Sequence, residues 1–199
     1  MTDPSPPDRA NEDAIDVALM QRAGKGDHGA FEELVTRHQH AVVGTVAKML
    51  GGASEAEDIA QQVFVRLWKS APRYQPRAKF TTFLFTITRN LVFNETRKRQ
   101  RRKEHSLDEQ EDDWHQQVSE PTEAQPDSRM LQTELRETVD RAISRLPEKQ
   151  RMAVILRRYE QMPYEEIAAA LDLTVSAVKS QLFRARAALR EDLERFMDE

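Results

Sequence analysis

Cysteine is absent from this 199-residue chain. That excludes disulfides, thiol nucleophiles and thiolate-held metals, and it fits a reducing, cytoplasmic setting. Glycine is scarce, at six residues, too few for the tight turns of a barrel or sandwich. No apolar run approaches the roughly 20 residues of a membrane-spanning helix, so no membrane insertion is expected. Met1 to Asp13 is proline-rich and acidic, unlike a secretory signal with its basic start and apolar centre. Catalytic patterns are missing too: there is no glycine-rich phosphate loop, no serine-nucleophile motif and no paired acid with an obvious pocket. Histidines stand at 28, 38, 40, 105 and 115, but His38 and His40, two apart, point away from each other on a helix. We therefore expect no catalytic residues, no metal and no cofactor.

What is present favours helix. A hydrophobic fraction of 39% and a charged fraction of 32% describe an all-α chain, long enough for two small domains. The formal net charge is −4, so the whole molecule is repelled by free DNA and any DNA contact must come from local patches.

The charges are segregated. Arg97 to Lys103 reads RKRQRRK, six basic residues in seven, whereas Glu104 to Ser128 holds nine carboxylates and no Lys or Arg. That acidic stretch also contains Pro121 and Pro126 and lacks apolar periodicity, which predicts a flexible linker over 104–130. Helical blocks at 15–103 and 131–199 flank it, and a disordered tail is expected over 1–14. In the first block Phe31 to Leu50 has helical spacing that breaks at Gly51-Gly52. Ser54 to Glu57 fits a capping box for a helix carrying Ile59, Val63 and Leu67 on one stripe and ending near Ser70. A loop from Ala71 to Lys79 follows, then a helix from Phe80 that runs into the basic cluster, a core-anchored element with a cationic tip suited to phosphate. The second block reads as four helices: about Thr133 to Leu146, one opened by proline in its first turn at Pro147, a short one from Tyr164 to Leu171, and a long one from Val175 with Thr174 as N-cap.

The strongest pattern is Pro163 to Leu189. Ile167, Leu171, Leu173, Val175, Val178 and Leu182 can form the small core of a helix-turn-helix, with Ala168 at the close approach. Thr174, Ser176, Lys179, Ser180, Phe183, Arg184 and Arg186 then lie on or near the outer side of the last helix. Short hydroxyls and cations, with no carboxylate before Glu191, suit major-groove recognition. Phe183 is equally compatible with a groove contact and with the core.

The segment Asp58-Ile59-Ala60-Gln61-Gln62-Val63-Phe64, followed by Ala177-Val178-Lys179-Ser180 to Arg184-Ala185-Arg186, resembles the extracytoplasmic-function group of the sigma-70 family. The likeness runs from about Asp16 to Phe196. It implies a bacterial transcription initiation factor acting in a stress or envelope response, with two helical domains: region 2 at 15–103 and region 4 at 131–199. The implied partners are core RNA polymerase, through the clamp of its largest subunit and the flap of its second-largest, promoter DNA, and an anti-sigma factor. Polymerase contacts would fall on Asp58, Gln61, Gln62, Phe64 and Arg66. The minus-10 element would meet Tyr74, Lys79, Arg89, Asn90, Asn94, Arg97 and Lys98, where stacking surface and phosphate-binding cations suit capture of a flipped base. Phe80 and Phe83 in the same segment fit core packing better. The minus-35 element would meet the recognition-helix set from Thr174 to Arg186. The family often has tryptophan where Phe83 stands and aspartate where Asn94 stands. The acidic linker would run toward the RNA exit path or serve only as a tether, and its roughly 25 residues can reach about 80 Å.

Two other functions fit parts of the pattern. A stand-alone helix-turn-helix regulator would bind duplex DNA by itself, and a nucleic-acid-processing enzyme would show nuclease or nucleotide-hydrolysis activity with magnesium.

Overall fold

A computed structural model describes residues 6–51, 54–106 and 138–197, and every regular element among them is helical. The first block holds α1 (Pro6–Ala23), α2 (His28–Leu50), α3 (Ser54–Ser70) and α4 (Phe80–Ser106). The second holds α5 (residues 138–145), α6 (Glu148–Arg158), α7 (Tyr164–Leu171) and α8 (Val175–Met197). The linker expected at 104–130 lies outside the described residues from 107 onward. Its first three positions, Glu104 to Ser106, belong to the end of α4.

The disordered tail expected over 1–14 is corrected for residues 6–14, which form the start of α1. Two carboxylates tie that helix down. Asp13 accepts a hydrogen bond from the Phe80 N–H at 2.7 Å, so the first turn of α4, whose N–H groups have no partner within the helix, is capped from 67 residues upstream. Asp16 is buried and meets the Arg37 guanidinium at 2.7 Å and His38 Nε2 at 2.9 Å. Asp16→Ala strands the two nitrogen partners. Because Arg37 is about a third exposed, the loss should be about 2 kcal/mol, below that of a fully buried pair, read as a lower denaturant midpoint at constant slope.

Helix ends follow local chemistry. Asp27 Oδ1 accepts from the Ala30 N–H at 3.0 Å to start α2. That hydrogen bond, with the Arg22 side chain, holds the Asp27 carboxyl below its ordinary pKa. Gly51, at φ 74°, closes α2 in the left-handed conformation that glycine tolerates best. Gly24 serves a close approach: a Cβ there would stand 2.5 Å from the Ala71 carbonyl oxygen. This brings the end of α1 against the 3-10 turn at Ala71–Arg73. Thr174 caps α8 as the sequence predicts, its hydroxyl accepting from the Ala177 N–H at 3.1 Å. Pro147 sits one residue earlier than expected, at the cap of α6, where its missing N–H costs nothing.

Between α7 and α8 the chain turns at Asp172, φ 54°, with the Leu173 N–H returning to the Ala168 carbonyl at 2.9 Å. Ile167, Leu171 and Val178 are buried in the angle, with Leu173, Val175 and Leu182 packed around them. The helix-turn-helix is therefore in place.

The two blocks do not stand apart. Buried residues from α1 to α4 and from α6 to α8 form one contiguous apolar cluster, with α7 laid on α4 and α6 on α2. Polar bonds stitch the seam. The Arg151 guanidinium donates to the Met49 carbonyl at the end of α2 at 2.7 Å, and also to the Ser144 and Leu146 carbonyls. Arg99 donates to the neighbouring Leu50 carbonyl at 3.0 Å and pairs with Glu55. Two arginines, one from each block, thus satisfy adjacent carbonyls at a single helix terminus.

Glu160 lies on the same seam and accepts from the Thr45 hydroxyl at 3.3 Å. Burial raises its pKa, against the opposing pull of Thr45 and His38. Its folded pKa thus exceeds the unfolded value, so the burial penalty is absent below the ordinary glutamate pKa and fully present above the raised one. Glu160→Gln should accordingly raise the melting temperature at neutral pH. The advantage over the parent should shrink as pH falls through the raised pKa, which paired melting curves at neutral and acid pH would test.

Candidate polymerase-docking and DNA-facing surfaces

Helix α3 buries Ile59, Val63 and Leu67 and leaves Asp58, Gln61, Gln62 and Arg66 exposed on the opposite side. Phe64 departs from the expected contact set. It is only 8% exposed and belongs to the core, because its position adjoins the apolar stripe. Val65, by contrast, is 51% exposed among the polar residues. Its spacing from Asp58, Gln61 and Gln62 places it in the middle of that surface. Amide and charged groups around one aliphatic side chain can meet another helix with a small dry centre and a hydrogen-bonding rim. Sequence spacing contained the clue to Val65, but a hydrophobic residue beside a core stripe reads first as core.

The loop after α3 is held by aromatic packing. Tyr74 is partly buried, with ring centroids 5.2 Å from Phe83 and 6.5 Å from Phe80. Phe80 is fully buried and Phe83 partly so, as their core reading anticipates. Burial pushes the Tyr74 hydroxyl up to about 12, with Asp13 and Asp16 acting in the same direction. That hydroxyl has no hydrogen-bond partner among the described residues, which leaves a neutral donor beside an aromatic face. Along α4, Asn90, Asn94, Arg97 and Lys98 are exposed at helical spacing and line one stripe leading into the basic end. Arg89 lies beside it and donates to Asn90 Oδ1 at 3.1 Å from Nε and 2.6 Å from Nη2. Lys98 also pairs with Glu95 at 3.3 Å. Lys79 stands apart from this stripe and is engaged by Glu166 of α7 at 2.6 Å, a partner that only the packing of the blocks supplies.

On α8, Thr174, Ser176, Lys179, Ser180, Phe183, Arg184 and Arg186 are all exposed. Phe183, left open by the sequence, is 74% exposed and occupies the middle of the outward face between the serines and Arg184. Lys179 Nζ stands 6.0 Å from the Tyr164 ring centroid, and Arg186 lies at the edge of the face. Hydrogen-bonding hydroxyls, cations and one bare aromatic ring make a surface that can read base edges and contact a thymine methyl.

Two family models match the chain, one in each helical block. A family model described as Sigma-70 region 2 matches residues 34–102, and one described as Sigma-70, region 4 matches residues 136–189. The chain is 33% identical to the RNA polymerase sigma-H factor of Pseudomonas aeruginosa over 189 residues, covering 92% of this chain and 96% of that protein. It is 35% identical to the ECF RNA polymerase sigma-E factor of Escherichia coli K12 over 181 residues, covering 90% and 94% respectively. Among solved structures, CnrH in complex with the cytosolic domain of CnrY superimposes with a TM-score of 0.63 at 25% identity, covering 91% of this chain and 98% of that one. The sigma factor RpoE in complex with the anti-sigma factor NepR from Bartonella quintana gives 0.67 at 23% identity, with coverage of 82% and 96%.

Proposed function

The chain belongs to the extracytoplasmic-function group of the sigma-70 family, and we propose that its exposed surfaces divide the work of promoter recognition among α3, α4 and α8. It is a sigma factor, an initiation factor that binds core RNA polymerase and directs it to promoter DNA. In the proposed division Asp58, Gln61, Gln62, Val65 and Arg66 of α3 dock on the clamp of the largest polymerase subunit. Tyr74 and the α4 stripe Arg89, Asn90, Asn94, Arg97 and Lys98 engage the minus-10 element during melting. The α8 face reads the minus-35 element while the second block rests on the flap. Residues 15–103 and 131–199 are the corresponding functional units. The chain performs no covalent chemistry of its own, works in the cytoplasm beside polymerase, and is restrained by an anti-sigma protein in a stress or envelope response. The last point is supported by the solved complexes of CnrH with the cytosolic domain of CnrY and of RpoE with the anti-sigma factor NepR.

The observation that carries the reading is the outward face of α8, where cations, hydroxyls and Phe183 are exposed and the first carboxylate comes only at Glu191. With a net charge of −4, the isolated chain should have negligible affinity for promoter duplex and gain it when core polymerase is added. A gel shift with and without core polymerase tests this. Tight, specific binding by the chain alone would instead identify a free-standing regulator.

A further inference from the structure

Beside the end of α2 the surface is concave and basic. A cavity of about 370 Å³ lies where Met49 and Leu50 meet Arg99 and Gln100 of α4 and Ser144 and Arg151 of the second block. Among the described residues no carboxylate lines it. The two that act on these guanidiniums, Glu55 on Arg99 and Glu148 on Arg151, stand outside the lining.

Neutral acceptors hold both guanidiniums in place. Arg99 donates to the Leu50 carbonyl at 3.0 Å, and Arg151 to the Met49 carbonyl at 2.7 Å and the Leu146 carbonyl at 3.1 Å. A carbonyl satisfies a donor without cancelling its charge, so a cation buried this way stays costly until an anion approaches. Burial accordingly pulls both arginines below their ordinary pKa, with Glu148 opposing it at Arg151. The Arg151 Nε–H is buried and has no hydrogen-bond partner among the described residues. Because the planar forks are already fixed, an incoming anion need not order two long side chains to use them.

A phosphate suits the pair better than a carboxylate. A phosphate monoester carries nearly two negative charges at neutral pH, against two guanidiniums, and offers three acceptor oxygens to their forks. The cavity has about twelve times the share of one water in the liquid, far more than a phosphate fills and at the low end of small-ligand pockets. Met49 and Leu50 give it an aliphatic wall. We propose that this cavity binds a small phosphate monoester, with the phosphate on Arg99 and Arg151 and a compact organic body against Met49 and Leu50. The inference is independent of the polymerase and promoter roles assigned above.

Phenyl phosphate is the probe, titrated calorimetrically into the full-length chain at constant ionic strength. It should bind once per chain and about tenfold more tightly than inorganic phosphate or benzoate, each of which lacks one half of the recognition. The amide NMR signals of Gly51 and Ser144, both in the lining, should move on binding. At ten times the dissociation constant the melting temperature should rise by about 3–6 °C. Gln100 is exposed and lines the cavity, so Gln100→Glu places a carboxylate there with little effect on folding. It should weaken binding about tenfold, whereas Gln100→Lys should strengthen it. Arg101→Ala with Arg102→Ala removes exposed cations outside the lining and should leave affinity within about twofold. Equal affinity for inorganic phosphate, indifference to Gln100→Glu, or loss of binding in the Arg101 and Arg102 variant would overturn the inference and leave only unspecific anion contact with the basic end of α4.

Discussion

Changing Lys179 and Arg184 together to alanine should lower transcription from a minus-35-dependent promoter by about two orders of magnitude. Both side chains are exposed on the outward face of α8. Each base or phosphate contact of this kind contributes about 1–3 kcal/mol. Two contacts near the middle of the low half of that range sum to about 2.8 kcal/mol, or roughly a hundredfold. The folded chain loses little, since both side chains are exposed and the approach of Lys179 to Tyr164, at 6.0 Å, is a weak interaction at such a site. Run-off transcription with reconstituted polymerase, on promoters with intact and scrambled minus-35 elements, separates recognition from assembly. The loss should appear only on the intact element, with polymerase association unchanged. Equal loss on both templates, or failure to bind core polymerase, would place these residues elsewhere in the mechanism.

Val65→Glu should weaken association with core polymerase by about a hundredfold while leaving the melting temperature within a degree or two. The side chain is 51% exposed, so in the free protein a carboxylate there remains hydrated and substitutions of this kind have small effects. At the centre of a docked surface the same carboxylate is desolvated without a partner, which costs about 3 kcal/mol. Gln61→Ala, at the rim, is the control and should change affinity far less. Fluorescence anisotropy with labelled chain and titrated core enzyme reads both. A Val65→Glu chain that binds normally would move the docking surface off α3.

Much of this arrangement could be read from spacing. Helix α3 from Ser54 to Ser70, the long α4 beginning at Phe80, and the Thr174 cap on α8 each follow from local rules: a break at glycine, a resumed apolar period, a hydroxyl before a helix. The outward set on α8 followed in the same way, since one buried stripe determines where the remaining side chains point. Phe64 and Val65 show where that logic loses resolution. Neighbours on a helix differ by 100°, and either could have completed the hydrophobic side; only the packed neighbours decide that Phe64 turns inward. Asp13 and Asp16 were unreadable for another reason. Their partners lie 67, 21 and 22 positions away, so a stretch that looks like an acidic tail becomes a helix through bonds no local window contains. The Lys79–Glu166 pair is more remote still, for it exists only when the two blocks meet.

The short span between α3 and α4 is tied at both ends. At one, Gly24 admits the Ala71 carbonyl so closely that no side chain would fit; at the other, Asp13 grips the Phe80 N–H. The intervening residues therefore run between two fixed posts that belong to α1 and the core, with Tyr74 packed on Phe80 and Phe83 between them. In the proposed role, a segment mounted this way can change around Tyr74, which stays packed on Phe83, and with it the base it would accept, while the scaffold stays put. Exchanging Pro72 to Lys79 for the matching piece of a relative would amount to changing a reading head without rebuilding the machine around it.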